Sequence, residues 1–318
     1  MITYIIRRLG LAVIVLIIVT ILVFLCMRLL PSDPIQLMLT SSQQSVYTEE
    51  QLNQIRKDYG LLDPLPVQYY NWVKDIMHGN LGTSLVSHIP VKRDIIHRIP
   101  ISLYIGLLAF FIGIIIGFPV GVICAVRRGS FLDTAITTIA NIGITLPTFW
   151  IGVMLIYLFG LYLKWLPIQG YTSPFTDFWL STRRLIMPVA CLVVYPIAGI
   201  ARQTRSSMLE TMRQDYIRTA WSKGLKERTV ITRHAIKNGI IPVVTMLGMN
   251  LSMIIGGSVI IEQVFNIPGT GRLLIDAIRN QDYPYVQGIV LILAICVLGV
   301  NLLTDLSYGY LDPRIRYS

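Results

Sequence analysis

The chain has 318 residues, of which 54% are hydrophobic and 14% are charged, and this composition is too apolar for an ordinary soluble domain. The formal net charge of +10 would suit a nucleic-acid partner. However, the basic residues cluster at the ends of apolar runs, where the positive-inside rule of membrane proteins places them. We therefore expect a lipid membrane around the chain and no nucleic acid.

Six long apolar runs predict the fold class. A hydrocarbon core about 30 Å thick takes roughly 20 helical residues to cross, and lipid offers no partner for an unpaired backbone group. We therefore predict an all-α membrane protein with six transmembrane helices, the first of them uncleaved. The runs are residues 9–30, 101–126, 131–163, 185–201, 239–261 and 286–306. Pro147 interrupts the third run, which we expect to be kinked or tilted.

The basic residues predict the orientation of these spans. Arg7 and Arg8 precede the first run, Arg127 and Arg128 separate the second from the third, and nine Lys or Arg residues lie in 202–237. With six spans, all of these segments fall on the side of both termini. Because positive loops stay in the cytoplasm, we predict cytoplasmic termini.

The spans and the segments between them predict three domains. Residues 1–30 form an N-terminal tail and the first transmembrane helix, and residues 31–100 form an extracytoplasmic subdomain. Residues 101–318 form the core with the other five helices, including a basic cytoplasmic loop at 202–238.

Three shorter helices are expected outside the membrane. Amphipathic patterns cover 49–59, where Gly60 ends the helix, and 66–77. A third segment, 273–278, has the length of one or two helical turns.

Two kinds of pattern occur within the spans. Gly113, Gly117 and Gly121 recur every four residues and predict close packing against another helix. Polar or soft side chains on the third and fifth runs form stripes, which either line a translocation path or make interhelical hydrogen bonds and fill gaps. The tentative path residues are Asn141, Thr145, Met249, Asn250 and Met253.

The basic loop predicts two short helices, 208–222 and 226–237, separated by Gly224. Ala220 and Gly224 lie one helical turn apart and would form a smooth spot among basic side chains. Such an elbow fits a groove on a partner protein. The alternative is a positively charged loop held near anionic lipid.

The loop resembles the EAA loop of ABC-importer permeases, through DYIRTAWSKGL at 215–225 and RHAIKN at 233–238. More narrowly, the chain resembles the first, B-type subunit of the peptide/nickel permease family. Further segments that carry this resemblance are LPSDP at 30–34, YGLLDPLPVQY at 59–69, GNLGTS at 79–84, FNIPGTGRLL at 265–274 and LDPRIR at 311–316. The general motif begins Glu-Ala-Ala and ends with proline, whereas this chain has Arg218-Thr219-Ala220 and Lys237.

The resemblance implies a permease with the type I ABC importer fold in the cytoplasmic membrane of a prokaryote. It implies a second homologous permease, two cytoplasmic ATPases and an extracytoplasmic solute-binding protein as partners. ATP and Mg²⁺ would bind to the ATPases, and no cofactor to this chain. Short peptides are the expected cargo, and a nickel or other metal chelate or glutathione is the alternative. The expected ATPase-coupling residues are Asp215, Arg218, Ala220, Lys223, Gly224 and Leu225.

The remaining residues argue against chemistry on this chain. The sequence has no G-x-x-x-x-G-K-[ST] phosphate loop, and its four histidines lie outside the apolar runs, so we expect no catalytic residue and no metal site. A proton-coupled secondary transporter is the competing class. Such proteins usually carry ionisable groups deep in the membrane, and the apolar runs hold almost none.

Overall fold

A computed structural model describes residues 2–29, 49–58, 60–248 and 258–311, which are mostly helical; the β-structure among them is one isolated bridge, between Thr83 and Pro90. The first helices are α1 Ile2–Arg28, α2 Glu49–Asp58, α3 Leu65–Met77, α4 Val91–Val126, α5 Phe131–Thr145 and α6 Thr148–Leu155, which continues as the π-helical Ile156–Tyr162. The later helices are α7 Phe178–Thr211, α8 Asp215–Ser222, α9 (Glu227–Thr229, the π-helical Val230–Ala235 and Ile236–Gly239), α10 Val259–Val264, α11 Thr270–Arg279 and α12 Tyr283–Leu311.

The predicted all-α membrane protein is confirmed. Within the described ranges, α1, α4, α7 and α12 are long and apolar enough to cross a membrane, and the bent pair α5–α6 would make a fifth span. The fifth apolar run is helical at 241–248, and its residues 249–257 lie outside the described ones. The count of six therefore stays a prediction.

The interruption at Pro147 is confirmed and is sharper than a kink. The axes of α5 and α6 differ by 100°. Leu146 is extended, with ψ of 130°, and Pro147 caps the start of α6. The proline ring disfavours helical backbone at the residue before it, so the helix ends there and restarts in a new direction.

Several predicted boundaries are wrong. Helix α4 begins at Val91, ten residues before the predicted 101, and its 36 residues are about 54 Å long, more than a hydrocarbon core requires. Helix α11 has 10 residues instead of six. The helix expected at 208–222 is divided, because α7 ends at Thr211 and a turn at 212–214 precedes α8.

The chain divides into two compact units, of which the first contains residues 1–101 and 268–318. Its apolar core includes Val23, Ile95 and Ile289. The polar start of α4 is also bonded within this unit, since Asp94 accepts hydrogen bonds from Arg98 and from the Tyr285 hydroxyl, both at 2.9 Å. These partners explain why the helix begins before its apolar run.

The second unit contains residues 102–267. Here α4 packs on α7 through the predicted glycine row, which is confirmed. A Cβ atom added to Gly121 would lie 2.5 Å from the Ala201 carbonyl oxygen, and one added to Gly117 would lie 2.9 Å from that of Ile197. The two backbones are therefore so close that only glycine fits.

Candidate functional site

The basic loop after α7 is the candidate functional site, and its helix α8 is attached to the rest of the second unit by its inner face. Ile217 and Ala220 lie three residues apart on α8 and are 1% and 6% exposed. They belong to a small apolar cluster with Ala125 at the end of α4 and Met208 on α7. The cluster fixes α8 to the ends of two spanning helices.

The second half of the loop, α9, is attached to the same place. Val230 and Ala235 are buried in the apolar cluster of Ile217 and Ala220. The Ser207 hydroxyl donates to the Gly239 carbonyl at 2.6 Å, and a Cβ atom on Gly239 would lie 2.8 Å from the Met208 sulfur. A displacement of the loop would therefore be transmitted to the C-terminal end of α7.

The position of Ala220 corrects one expectation. Its side chain points into the apolar cluster, so Ala220 and Gly224 do not form a shared smooth spot on the surface. The other five predicted coupling residues are exposed: Asp215, Arg218, Lys223, Gly224 and Leu225. Small size at position 220 brings α8 close to α4 and α7, and the outer residues form the accessible surface.

Gly224 ends α8 as the sequence predicts. Its φ of +74° is the left-handed conformation that favours glycine, and its N–H donates to the Trp221 carbonyl at 2.9 Å. An added Cβ would meet nothing within 4 Å, so the space beside it is open. The requirement for glycine here is conformational, and the open space leaves room for a partner.

Two aromatic residues of the loop were not singled out by the sequence reasoning. Trp221 is 43% exposed and Tyr216 is 42% exposed, beside the exposed Leu225. Trp, Tyr and Arg are the residues enriched in protein–protein interfaces. We call the exposed residues Asp215, Tyr216, Arg218, Trp221, Lys223, Gly224 and Leu225 the outer face of the loop. The combination of aromatic and basic side chains in the short segment 215–225 is the sequence signal that could have indicated this interface.

A partly buried ion pair links α5 to α7 near this loop. Asp133 is 3% exposed and accepts from Arg205 twice, from Nε at 2.7 Å and from Nη2 at 2.8 Å. The Gly129 N–H donates to the same carboxylate at 3.0 Å. The sequence alone does not indicate this pair, because the partner is 72 residues away.

A cavity of about 650 Å³ opens beside this ion pair in the second unit. Four arginines line it: Arg128, Arg202, Arg205 and Arg213. Glu210 is the one carboxylate among the lining residues, so the cavity is positively charged. It would attract anionic groups.

The predicted path residues are only partly brought together. Asn141 lines the 650 Å³ cavity, whereas Thr145 is exposed on α5 outside it and bonds to the Ile142 carbonyl at 2.8 Å. Met249, Asn250 and Met253 lie outside the described residues. The role of these five residues as path residues therefore stays a prediction.

Comparison with known families covers nearly the whole chain. Residues 117–317 match the family described as "Binding-protein-dependent transport system inner membrane component". Residues 1–106 match the corresponding N-terminal family of membrane components of such systems.

Relatives that match over nearly their whole length have names that specify peptides or dipeptides. The chain is 40% identical to a probable peptide ABC transporter permease, y4tP, of Sinorhizobium fredii, covering 99% of each. It is 42% identical to a putative peptide transport system permease of Brucella abortus, covering 98% of each. It is 38% identical to the dipeptide transport system permease DppB of Escherichia coli, covering 100% of this chain and 99% of that one.

Solved structures share the fold. A MetNI methionine ABC transporter in an inward-facing conformation matches with a TM-score of 0.56 at 20% identity, covering 70% of this chain and 98% of the other. An amino acid ABC transporter matches with a TM-score of 0.52 at 16% identity, covering 69% and 94%.

Proposed function

The chain belongs to the family of binding-protein-dependent transport system inner membrane components, and from this membership we propose that its cargo is short peptides. It is a multi-pass permease subunit of an ATP-driven importer, and ATP hydrolysis belongs to the partner ATPase. The observation that carries the cargo is about 40% identity over almost the full length to three permeases whose names specify peptides or dipeptides.

Reconstitution tests the proposed cargo. The chain would be placed in proteoliposomes with its partner permease, the ATPases and the binding protein, and uptake of labelled dialanine would be measured. We expect uptake that requires both ATP and the binding protein. Uptake of a nickel chelate without any uptake of dialanine would contradict the peptide assignment.

The outer face of the loop is the proposed docking surface for the ATPase. Its basic and aromatic side chains are accessible, whereas Ile217 and Ala220 hold α8 on the ends of α4 and α7. A partner that closes on ATP and moves this face would therefore move both helices. In this way the nucleotide cycle would bias the permease between inward-open and outward-open states, as alternating access requires.

The proposed assembly contains a second homologous permease, two ATPases and one binding protein. ATP and Mg²⁺ bind to the ATPases, and this chain holds neither. Both termini and the outer face of the loop lie in the cytoplasm, which the basic residues of 202–237 favour. Native mass measurement of the purified complex tests the composition, and protease access to a C-terminal tag in right-side-out vesicles tests the orientation.

The proposed translocation path uses Asn141, Thr145, Met249, Asn250 and Met253. Support comes from Asn141, which lies on the polar stripe of α5 and lines the arginine-rich cavity of about 650 Å³. Each residue would be changed to cysteine in a background without Cys26, Cys124, Cys191 and Cys296. Labelling by a water-soluble thiol reagent should change with nucleotide state, and inertness at all five positions in every state would contradict a wet path.

A further inference from the structure

A second, smaller cavity lies within the first unit. Its volume is about 240 Å³, below the roughly 300 Å³ at which pockets for drug-sized ligands begin. The end of α1, the side of α3 and the start of α12 surround it, and Arg28, Gln68 and Gln287 line it. It is remote in sequence from the loop after α7, and the transport cycle proposed above does not use it.

Three polar atoms of this lining have no hydrogen-bond partner among the described residues. They are Nε of Arg28, Oε1 of Gln68 and Nε2 of Gln287. Gln68 is 9% exposed and Gln287 is 4% exposed. Buried polar atoms are nearly always bonded, and leaving one unpaired is costly. Three in one cavity give it unused hydrogen-bonding capacity that a polar guest could satisfy.

The hydrogen bonds of the Gln68 amide nitrogen fix the orientation of the amide group. Its Nε2 donates to the Leu61 carbonyl at 3.1 Å and to the Asp63 carbonyl at 2.7 Å. Because only the nitrogen can donate to two carbonyls, the unpaired atom is the oxygen, which accepts. The cavity therefore offers one acceptor here and donors at Arg28 and Gln287.

Arg28 places a positive charge at the bottom of the cavity. Its guanidinium carbon lies 5.3 Å from the centre of the Phe24 ring and 5.0 Å from that of Tyr283. These ring contacts hold the cation in place, but in the described part of the chain it forms no ion pair with a carboxylate. A carboxylate guest would supply the missing charge through charge-assisted hydrogen bonds.

The rim of the cavity has the opposite charge. Asp63 and Asp75 line it and are both exposed, whereas the unpaired amide groups are buried. A guest with a carboxylate at one end and an ammonium group at the other would match this distribution of charge. Its carboxylate would face Arg28 at the bottom of the cavity, and its ammonium group would face Asp63 and Asp75 at the rim.

We propose that this cavity binds a small zwitterion, an amino acid or dipeptide, with its carboxylate against Arg28 and Gln287 and its N–H groups toward Gln68, Asp63 and Asp75. The choice of a peptide-like guest rests on the proposed function. The site would hold cargo at the permease itself, separate from the cavity beside Asp133.

Calorimetric titration of dialanine into the complex of the two permeases and two ATPases in nanodiscs, without nucleotide or binding protein, tests this site. Alanine, dialanine amide and N-acetyl-dialanine are the comparison ligands. We expect saturable binding of dialanine, loss of binding for the amide, and about tenfold weaker binding for the acetylated form. Alanine distinguishes an amino-acid site from a dipeptide site. No saturable binding of either zwitterion, or equal binding of dialanine and its amide, would overturn the proposal.

Variants locate the site on this chain. Gln287→Met and Gln68→Met keep the side-chain length, remove the hydrogen-bonding amide, and should each weaken dialanine binding by about tenfold. Asp75→Asn, at the exposed rim, should weaken dialanine but leave the acetylated ligand unchanged. Gln263→Met is the matched control, because Gln263 also has a buried Oε1 without a hydrogen-bond partner among the described residues but lies outside the cavity. Unchanged affinity in the Gln287 and Asp75 variants would overturn the site.

The outcome can be separated from that of the proposed function. If dialanine is transported but does not bind without nucleotide, this cavity is not a cargo site and the peptide assignment stands. If dialanine binds here but is not taken up in proteoliposomes, the peptide assignment fails and the cavity remains a zwitterion site.

Discussion

The α4–α7 interface and the loop after α7 both depend on glycine, for opposite physical reasons. Gly121 has ordinary helical backbone and no free space, since an added Cβ would lie 2.5 Å from the Ala201 oxygen. Gly224 has a φ of +74° and open space where a Cβ would lie, with no atom within 4 Å of that position. The first glycine sets the distance between two spanning helices, and the second sets the direction of the chain on an exposed surface. Variants at the two sites should therefore fail differently.

The largest loss of stability is expected from Gly121→Ala. The methyl group would push α7 away from α4, and overpacking of this kind costs about 3 kcal/mol of unfolding free energy. The control is Gly199→Ala on α7, where an added Cβ meets nothing within 4 Å. That variant should be neutral or more stable by about 0.5 kcal/mol. Thermal unfolding of the purified chain in detergent compares them, and equal midpoints would contradict the close contact.

A loss of about 2–3 kcal/mol is expected from Ile217→Ala, which leaves a void under α8. Ile217 is 1% exposed and belongs to the cluster that attaches the loop. ATPase binding should persist, because the outer face is intact, while transport per ATP hydrolysed should fall. Leu225→Ala is the comparison, since Leu225 is 37% exposed and its truncation removes less buried area than that of Ile217. Normal coupling in Ile217→Ala would argue against a transmitting role for the cluster.

Asp133→Asn tests the ion pair that joins α5 to α7, close to both the α4–α7 interface and the loop after α7. The change leaves the Arg205 cation beside a neutral amide and should cost about 2 kcal/mol, less than for a fully buried pair because the Arg205 side chain keeps 31% exposure. The control is Asp276→Asn, whose ion pair with Arg272 on α11 is longer, at 3.7 Å, and more exposed. That change should lie within about 0.5 kcal/mol. Thermal unfolding measures both, and equal shifts would contradict a structural role for Asp133.

The smallest change in stability, with a large change in transport, is expected from Gly224→Leu. Left-handed backbone at a non-glycine residue costs about 1–2 kcal/mol, and the bulky side chain would occupy the open space of the proposed docking surface. Gly129→Leu is the matched control, because Gly129 has a φ of +77° and also nothing within 4 Å.

Both glycine variants should therefore lose similar stability, and only Gly224→Leu should uncouple ATP hydrolysis from dialanine uptake in proteoliposomes. Normal uptake in Gly224→Leu would contradict the docking assignment. Equal uncoupling in both variants would point to backbone strain as the cause.

Much of the fold follows from the sequence, because its signals are local. Apolar length predicts spanning helices, the spacing of Gly113, Gly117 and Gly121 predicts a close helix contact, and Gly224 predicts a left-handed helix end. Each depends on residues within a few turns of one another. The motif at 215–225 likewise indicates the family without knowledge of the fold.

Other features depend on residues that only the folded chain brings together. The sequence does not show that Ala220 points inward, because that depends on Ala125 and Met208, nor that Asp133 pairs with Arg205. The early start of α4 depends on a bond from Tyr285 to Asp94, 191 residues away. Composition and periodicity carry information along one helix, whereas burial and charge pairing depend on which helices are neighbours. The existence of the apolar spans α1, α4, α7 and α12 thus follows from the sequence alone, whereas the start of α4, the attachment of the loop after α7 and both cavities depend on the tertiary structure.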